Sequence, residues 1–213
     1  MLLVIGSKQK SSWSLRPWLL MKQFEIQFEE KLILLDQSKT TEEILRYSPS
    51  AKVPVLLDGS ISVWESLAIA EYLNEKFPEL QMWPADKARR AKARAISNEM
   101  HGGFSNLRNH MPHELNTIKV NFDWSNAKDD VERVIQIWQE CLSESNGPFL
   151  FGEFSIADAM FAPVVNRFVT YGIFSNAKAA KLAKDYPACI SYMKAIAELK
   201  ALKTWIEEAS LEK

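Results

Sequence analysis

Apolar positions change their spacing partway along the chain. Over residues 1–78, short apolar runs alternate with segments of helical period. Leu2–Ile5 predicts a strand, Leu15–Phe24 a helix opened by Ser14 as N-cap, and Glu30–Leu35 a second strand. Thr40–Tyr47 predicts a short helix stopped before Pro49. Val55–Leu57, the turn Asp58-Gly59 and Ile61–Val63 predict a hairpin, and Glu65–Phe77 a helix ended by Pro78. The order βαβ then αββα implies an α/β unit over 1–78. Residues 79–86, fenced by Pro78 and Pro84, read as a linker, with Asp86 able to cap the next helix. From residue 87 to 213 the strand period disappears. Helices are expected at Lys87–Asn109, Ala127–Ser145, Ile156–Phe168, Ala177–Asp185, Ala188–Ala197 and Ala201–Ala209, an all-helical second domain.

Composition excludes several classes. The 213 residues carry 26 basic and 27 acidic side chains, net charge −1, so no basic excess points to nucleic acid. No apolar run approaches the roughly 20 residues that span a bilayer, so no membrane partner is expected. The run Met1–Gly6 is too short for a signal-peptide core. Cys141 and Cys189 form no CxxC or metal spacing, and reduced thiols in a cytoplasmic protein are the simplest reading. His110 and His113 flank Met111-Pro112, which prevents one helix face from presenting both, so no metal site is expected. The run Lys87, Arg89, Arg90, Lys92 and Arg94 reads as a solvated helix face, and Trp124, Trp138 and Trp205 as core or interface.

Three segments carry chemistry. Gly6–Arg16 places Ser11, Ser12 and Ser14 where the first strand passes into the first helix, and a helix N-terminus favours an anion. No GxSxG elbow surrounds these serines, which disfavours a serine-nucleophile triad. Lys52-Val53-Pro54-Val55 opens a strand with proline; a cis bond there would turn the Val53 backbone outward, available to an extended peptide. Trp64–Ile69 starts a helix with Glu65 and Ser66, a carboxylate and a hydroxyl suited to the two charges of an α-amino-acid head group. Read alone, each has an ordinary structural explanation: a cap, a trans edge proline and an acidic first turn.

Together and in this order, the three segments resemble the glutathione transferase family over nearly the whole chain. Ser11-Ser12-Trp13-Ser14-Leu15-Arg16 is similar to the Ser-Ser-Cys-Ser-Trp-Arg signature of the zeta class, which includes maleylacetoacetate isomerases. Val53-Pro54 resembles the family's cis-proline site, Glu65–Ile69 its γ-glutamyl site, and Phe154–Asp158 its capping box, with Ser155 and Asp158 starting a buried helix. The resemblance implies a thioredoxin-like domain with a mixed four-stranded sheet followed by a helical domain. It also implies glutathione as co-substrate, a small electrophile as second substrate, and a homodimer.

By the same resemblance, Ser11 or Ser12 would stabilise the glutathione thiolate, with Ser14 beside them. Val53 and Pro54 would meet the cysteinyl unit, Glu65 and Ser66 the γ-glutamyl end, and Lys39 the glycyl end. Gly102-Gly103 resembles a zeta Gly-Gly stretch, which brings in Ser105 and Asn109 from across the cleft. Trp13, Arg108, Met111 and Pro112 would line the second-substrate pocket. Trp13 stands where the zeta class has cysteine, and it narrows the cleft. The absence of cysteine between residues 7 and 16 argues against the cysteine-type thioltransferases. Arg167 suits a carboxylate but lies out of register with the family's arginine. The implied activity is conjugation or isomerisation of an electrophile; the other reading is a non-catalytic interaction module on the same fold.

Overall fold

The computed structural model describes residues 1–175 and 180–212. Four strands, β1 (Leu2–Gly6), β2 (Glu29–Ile33), β3 (Val55–Asp58) and β4 (Ile61–Trp64), form one mixed sheet in the order β2-β1-β3-β4. β1 runs parallel to β2, with Val4 opposite Lys31, and antiparallel to β3, with Leu3 opposite Leu56. β3 and β4 form the expected hairpin around Gly59, whose φ of 60° suits glycine. The first helices are α1 (Ser12–Gln23), α2 (Thr40–Leu45) and α3 (Ser66–Lys76). The second half forms α4 (Lys87–Gly102), α5 (Ser105–His110), α6 (Lys128–Ser143), α7 (Ile156–Thr170), α8 (Ala180–Asp185), α9 (Pro187–Ala197) and α10 (Lys200–Leu211). Of the expected helix Ala177–Asp185, residues 177–179 lie outside the described residues.

Two expectations are corrected. α1 begins three residues earlier than its apolar spacing suggested, because Ser11 rather than Ser14 is the N-cap and accepts from the Ser14 N–H. Pro17 therefore sits inside the helix rather than in its first turn. The single helix expected over 87–109 is broken at Gly103-Phe104. Phe104 adopts a left-handed φ of 62°, and a Cβ at Gly103 would lie 2.8 Å from the Glu99 carbonyl oxygen. The break turns α5 away from α4. Within residues 79–86, Met82 and Trp83 are buried, and the Met82 carbonyl accepts from Ile156 N–H at 3.0 Å.

The core is continuous from the sheet into the helical half. α1 is buried nearly all round, and it packs against α3, α7 and α10. α7 is buried from Ile156 to Phe168 and is central to the second half, against α1, α4 and α9. Trp138 and Trp205 are fully buried, as expected of core residues.

The capping box starts α7. Asp158 is fully buried and accepts from the Ser155 N–H and hydroxyl, both at 2.9 Å, and from the Leu150 N–H at 3.0 Å. Asp158→Ala leaves two buried backbone donors without an acceptor, and a loss of roughly 2–5 kcal/mol is expected in urea unfolding.

His113, just beyond α5, is 6% exposed, and its pKa is pushed down to about 3, first by burial and then by Arg167 and Arg16. Its folded pKa lies below the unfolded value of about 6.5, so its contribution is complete above that pH and is lost on acidification. By pH 5 the loss should reach roughly 2 kcal/mol. Asp158, pushed up by burial to about 6, acts with the opposite sign over part of the same window. The difference between wild type and His113→Leu isolates the histidine. From pH 7 to pH 5 the wild-type urea midpoint should fall relative to that of the variant, which lacks the histidine's loss and keeps the gain from Asp158.

Candidate functional site

The first β–α junction is built from hydroxyls. Ser11 accepts from the Ser14 N–H at 3.2 Å and donates its own proton to Ser14 Oγ at 2.8 Å. Ser14 Oγ in turn accepts from the Gly6 N–H at 3.0 Å, tying the end of β1 to the first turn of α1. Ser14 is fully buried, its oxygen accepting from both the Gly6 N–H and the Ser11 hydroxyl, and it does not line the neighbouring cleft. Ser12 is placed differently. Its hydroxyl accepts from Arg167 Nη2 on α7 at 3.4 Å, which leaves its proton uncommitted.

A cleft of about 210 Å³ opens beside this junction, lined by Trp13, Ser50, Lys52, Val53, Pro54, Glu65 and Ser66. Five of these were singled out in the sequence; Ser50 and Lys52 were not. Lys52 adjoins Val53-Pro54, and that adjacency was the available signal. Neither Ser11 nor Ser12 is among the lining residues, although Trp13, next in the chain, is. The Val53–Pro54 bond is cis, and the β3 ladder begins only at Val55, so Val53 stands outside it. Glu65 has a left-handed φ of 69° with ψ 124°, a conformation that L-residues rarely hold and that clusters at ligand sites. Ser66 heads α3; its buried hydroxyl has no hydrogen-bond partner among the described residues.

On the helical side, Glu65 meets His101 Nε2 at 3.3 Å. Burial, then Arg16, hold the His101 pKa below its ordinary value. Trp13 lies between two cations, with the Arg16 guanidinium 4.2 Å and that of Arg108 4.9 Å from the ring, and His101 stands edge-on at 5.2 Å. Arg16 donates to the Met160 carbonyl, Arg108 to that of Met100, and Arg167 to those of Met111 and Pro163. None of the three makes a carboxylate ion pair among the described residues, and one Arg16 nitrogen is buried without a partner. Burial, then the Arg108 and Arg167 charges, pull the Arg16 pKa well down; burial, then Arg108, bring Arg167 to about 10. The sequence sets Arg167 aside as out of register with the family's arginine and does not count Arg16 among the site residues; their convergence depends on helix packing.

The other expected residues fall elsewhere. Met111, the C-cap of α5, is fully buried in the core and does not line the cleft. Pro112 is exposed, and its carbonyl accepts from the Tyr171 hydroxyl at 3.0 Å. Ser105 and Asn109 are exposed positions of α5, and exposed Lys39 precedes α2; none of the three lines the cleft. Among the described residues no cluster of His, Cys, Asp or Glu could hold a metal.

Comparison with known proteins agrees with this geometry. The glutathione S-transferase N-terminal domain matches residues 10–76, and the glutathione S-transferase C-terminal domain matches residues 90–195. A probable maleylacetoacetate isomerase of Caenorhabditis elegans is 31% identical over 167 residues, covering 76% of this chain and 77% of that one. Among solved structures, a glutathione S-transferase of the Antarctic clam Laternula elliptica has TM-score 0.74 at 26% identity, covering 100% of this chain and 94% of its own. The holo structure of maleyl pyruvate isomerase, a bacterial zeta-class enzyme, shares the fold at TM-score 0.72 and 19% identity, over 98% of both chains. A thioredoxin-like sheet with its cis-proline cleft, a helical half beside it and both domain matches in sequence lead to one assignment: the chain belongs to the glutathione S-transferase family.

Proposed function

We propose that the protein holds glutathione in the Val53–Ser66 cleft, keeps its sulfur as a thiolate with the Ser12 hydroxyl, and delivers it to a small electrophile that bears a carboxylate. The observation that carries this reading is the gathering of three guanidiniums around Trp13 and Ser12, none of them in an ion pair with a carboxylate among the described residues. Such a site lowers the energy of anions, and a thiolate is one. Of the two candidate serines, Ser11 is committed as donor and acceptor within the cap, while Ser12 accepts from Arg167 and can donate to sulfur.

The magnitudes suffice. A free thiol of pKa about 8.5 must drop roughly 2 units to be mostly thiolate at neutral pH, or about 2.7 kcal/mol. A hydrogen bond to a charged acceptor supplies about 1.5–3 kcal/mol, and a helix N-terminus about 0.3–1. The remaining ligand charges find partners: Glu65 takes the α-ammonium, the Ser66 hydroxyl with the α3 N-terminus takes the α-carboxylate, and Lys52 takes the glycyl carboxylate in place of Lys39. Sulfur then attacks the electrophilic carbon as a leaving group departs with its electron pair. In the isomerising variant it adds to an activated double bond, the single bond so formed rotates, and the sulfur is expelled. The relative named for maleylacetoacetate isomerisation supports a carboxylate-bearing substrate, which Arg16, Arg108 and Arg167 would hold. Exposed Ile61 and Trp64 on edge strand β4 fit pairing as a homodimer, and the free, buried Cys141 and Cys189 fit the reducing cytoplasm.

Ser12→Ala should raise the pKa of bound glutathione by about one to two, followed by ultraviolet thiolate absorbance against pH. Ser11→Ala should instead lower stability by about 1 kcal/mol through the lost cap. If Ser11→Ala moves the thiol pKa while Ser12→Ala leaves it in place, the assignment is reversed. Glu65→Gln should raise KM for glutathione about tenfold with kcat within about twofold, since its contact is made equally in ground and transition states. Calorimetry showing undiminished glutathione affinity would remove Glu65 from the role.

A further inference from the structure

The loop that leads into Ser11 and Ser12 is held by residues about 200 positions away. Glu212, the C-cap of α10, accepts from the successive backbone N–H groups of Lys8 and Gln9 at 2.6 and 3.2 Å. Trp205 Nε1 on the same helix donates to the Lys8 carbonyl at 3.1 Å. The Lys8 ammonium bonds Glu208 of α10 and Glu30 of β2, the latter at 2.7 Å, and it lies 5.2 and 5.3 Å from the Trp18 and Trp205 rings. Lys8 is only 5% exposed, so its charge is committed to this cluster and not to solvent. The loop is short and internally bonded: the Ser7 carbonyl accepts from the N–H of Lys10 at 3.1 Å and of Ser11 at 2.8 Å. A displacement of Lys8 and Gln9 is therefore passed directly to the cap residue.

From this geometry we infer that α10 is a latch on the thiol-activating loop, with Glu212 and Lys8 as positioning residues for the sulfur contact. Further anchors, among them Leu35 N–H to Ser7 Oγ at 2.9 Å, Gln9 Nε2 to the Leu115 carbonyl at 2.8 Å and the exposed Lys10–Asp36 ion pair at 2.5 Å, engage other groups of the loop. They leave the Lys8 and Gln9 N–H groups to α10 alone. A carboxylate on two N–H groups is a strong, directional clamp. Released, the loop samples positions in which Ser12 no longer meets both Arg167 and sulfur. The inference rests on the glutathione reading above, and its test separates the two.

The experiment uses the full chain with Glu212→Ala, Glu212→Gln and, as control on the same helix, the exposed Glu207→Ala. Hydrogen exchange of the loop amides reads the latch without glutathione. Exchange at residues 8–12 should accelerate about tenfold or more in Glu212→Ala, less in Glu212→Gln, and not in the control. The pKa of bound glutathione should then rise in the same order, and kcat/KM should fall about tenfold in Glu212→Ala while the thermal midpoint of Glu207→Ala and Glu212→Ala stays similar. Should Glu212→Ala fail to fold, Lys8→Met with Glu212→Gln carries the same comparison. Unchanged loop exchange overturns the latch. Accelerated exchange with an unmoved thiol pKa overturns the positioning role. No acidified thiol in the unsubstituted protein, with exchange behaving as described, overturns the glutathione reading and takes the positioning role with it.

Discussion

Arg167 joins the two halves of the molecule at the point where the chemistry is proposed. It rises from a helix that is buried on every side, and its five N–H donors must be satisfied without water. Carbonyls of Met111 and Pro163 take two directions, and the Ser12 hydroxyl takes a third. Carbonyls satisfy hydrogen bonds but do not neutralise charge. With Arg16 and Arg108 nearby, the result is a buried, positively charged floor under the start of α1. Such an arrangement costs stability unless an anion shares it. The fold tolerates that cost by fixing the guanidiniums on helices α1, α5 and α7, whose packing is set by apolar residues.

The same constraint divides the labour among three serines. A helix start must satisfy its free N–H groups, and one hydroxyl suffices for the cap. Ser11 meets that need, and Ser14 carries the bond back to Gly6, so β1 and α1 meet at a fixed angle. Ser12 takes no part in the cap: its hydroxyl accepts from Arg167 instead. A run of serines that looks redundant in sequence becomes, once folded, three different hydrogen-bonding roles.

Local features were legible in the sequence. The sheet, its hairpin and the Asp86 cap follow from period and turn chemistry, and Asp86 does accept from the Arg89 N–H at 2.8 Å. The Ser155–Asp158 spacing announces its capping box for the same reason: all its partners lie within eight residues. The failures are of two kinds. Ser14 as cap and the unbroken helix over 87–109 were errors of local competition, in which Ser11 and the Gly103-Phe104 break prevailed. Met111 was placed in a pocket by the resemblance alone, and its side chain packs into the core. Arg16, Arg167 and Glu212 belong to another category, since their partners lie 144 to 204 residues away and no spacing rule reports them.

Trp13 draws these strands together. At this position the zeta-like signature has a small thiol, and the indole here occupies the cleft wall while offering two π faces. Arg16 and Arg108 lie within 5 Å of the centre of its ring, a distance at which the ring's quadrupole attracts each cation. The tryptophan thus attracts both cations without supplying a negative charge that would cancel them. A carboxylate in its place would have stabilised the arginines better and removed the reason for an anion to bind. The exchange of cysteine for tryptophan therefore need not be a loss of chemistry: it moves the selective element from a reactive sulfur to a shaped, positively charged wall.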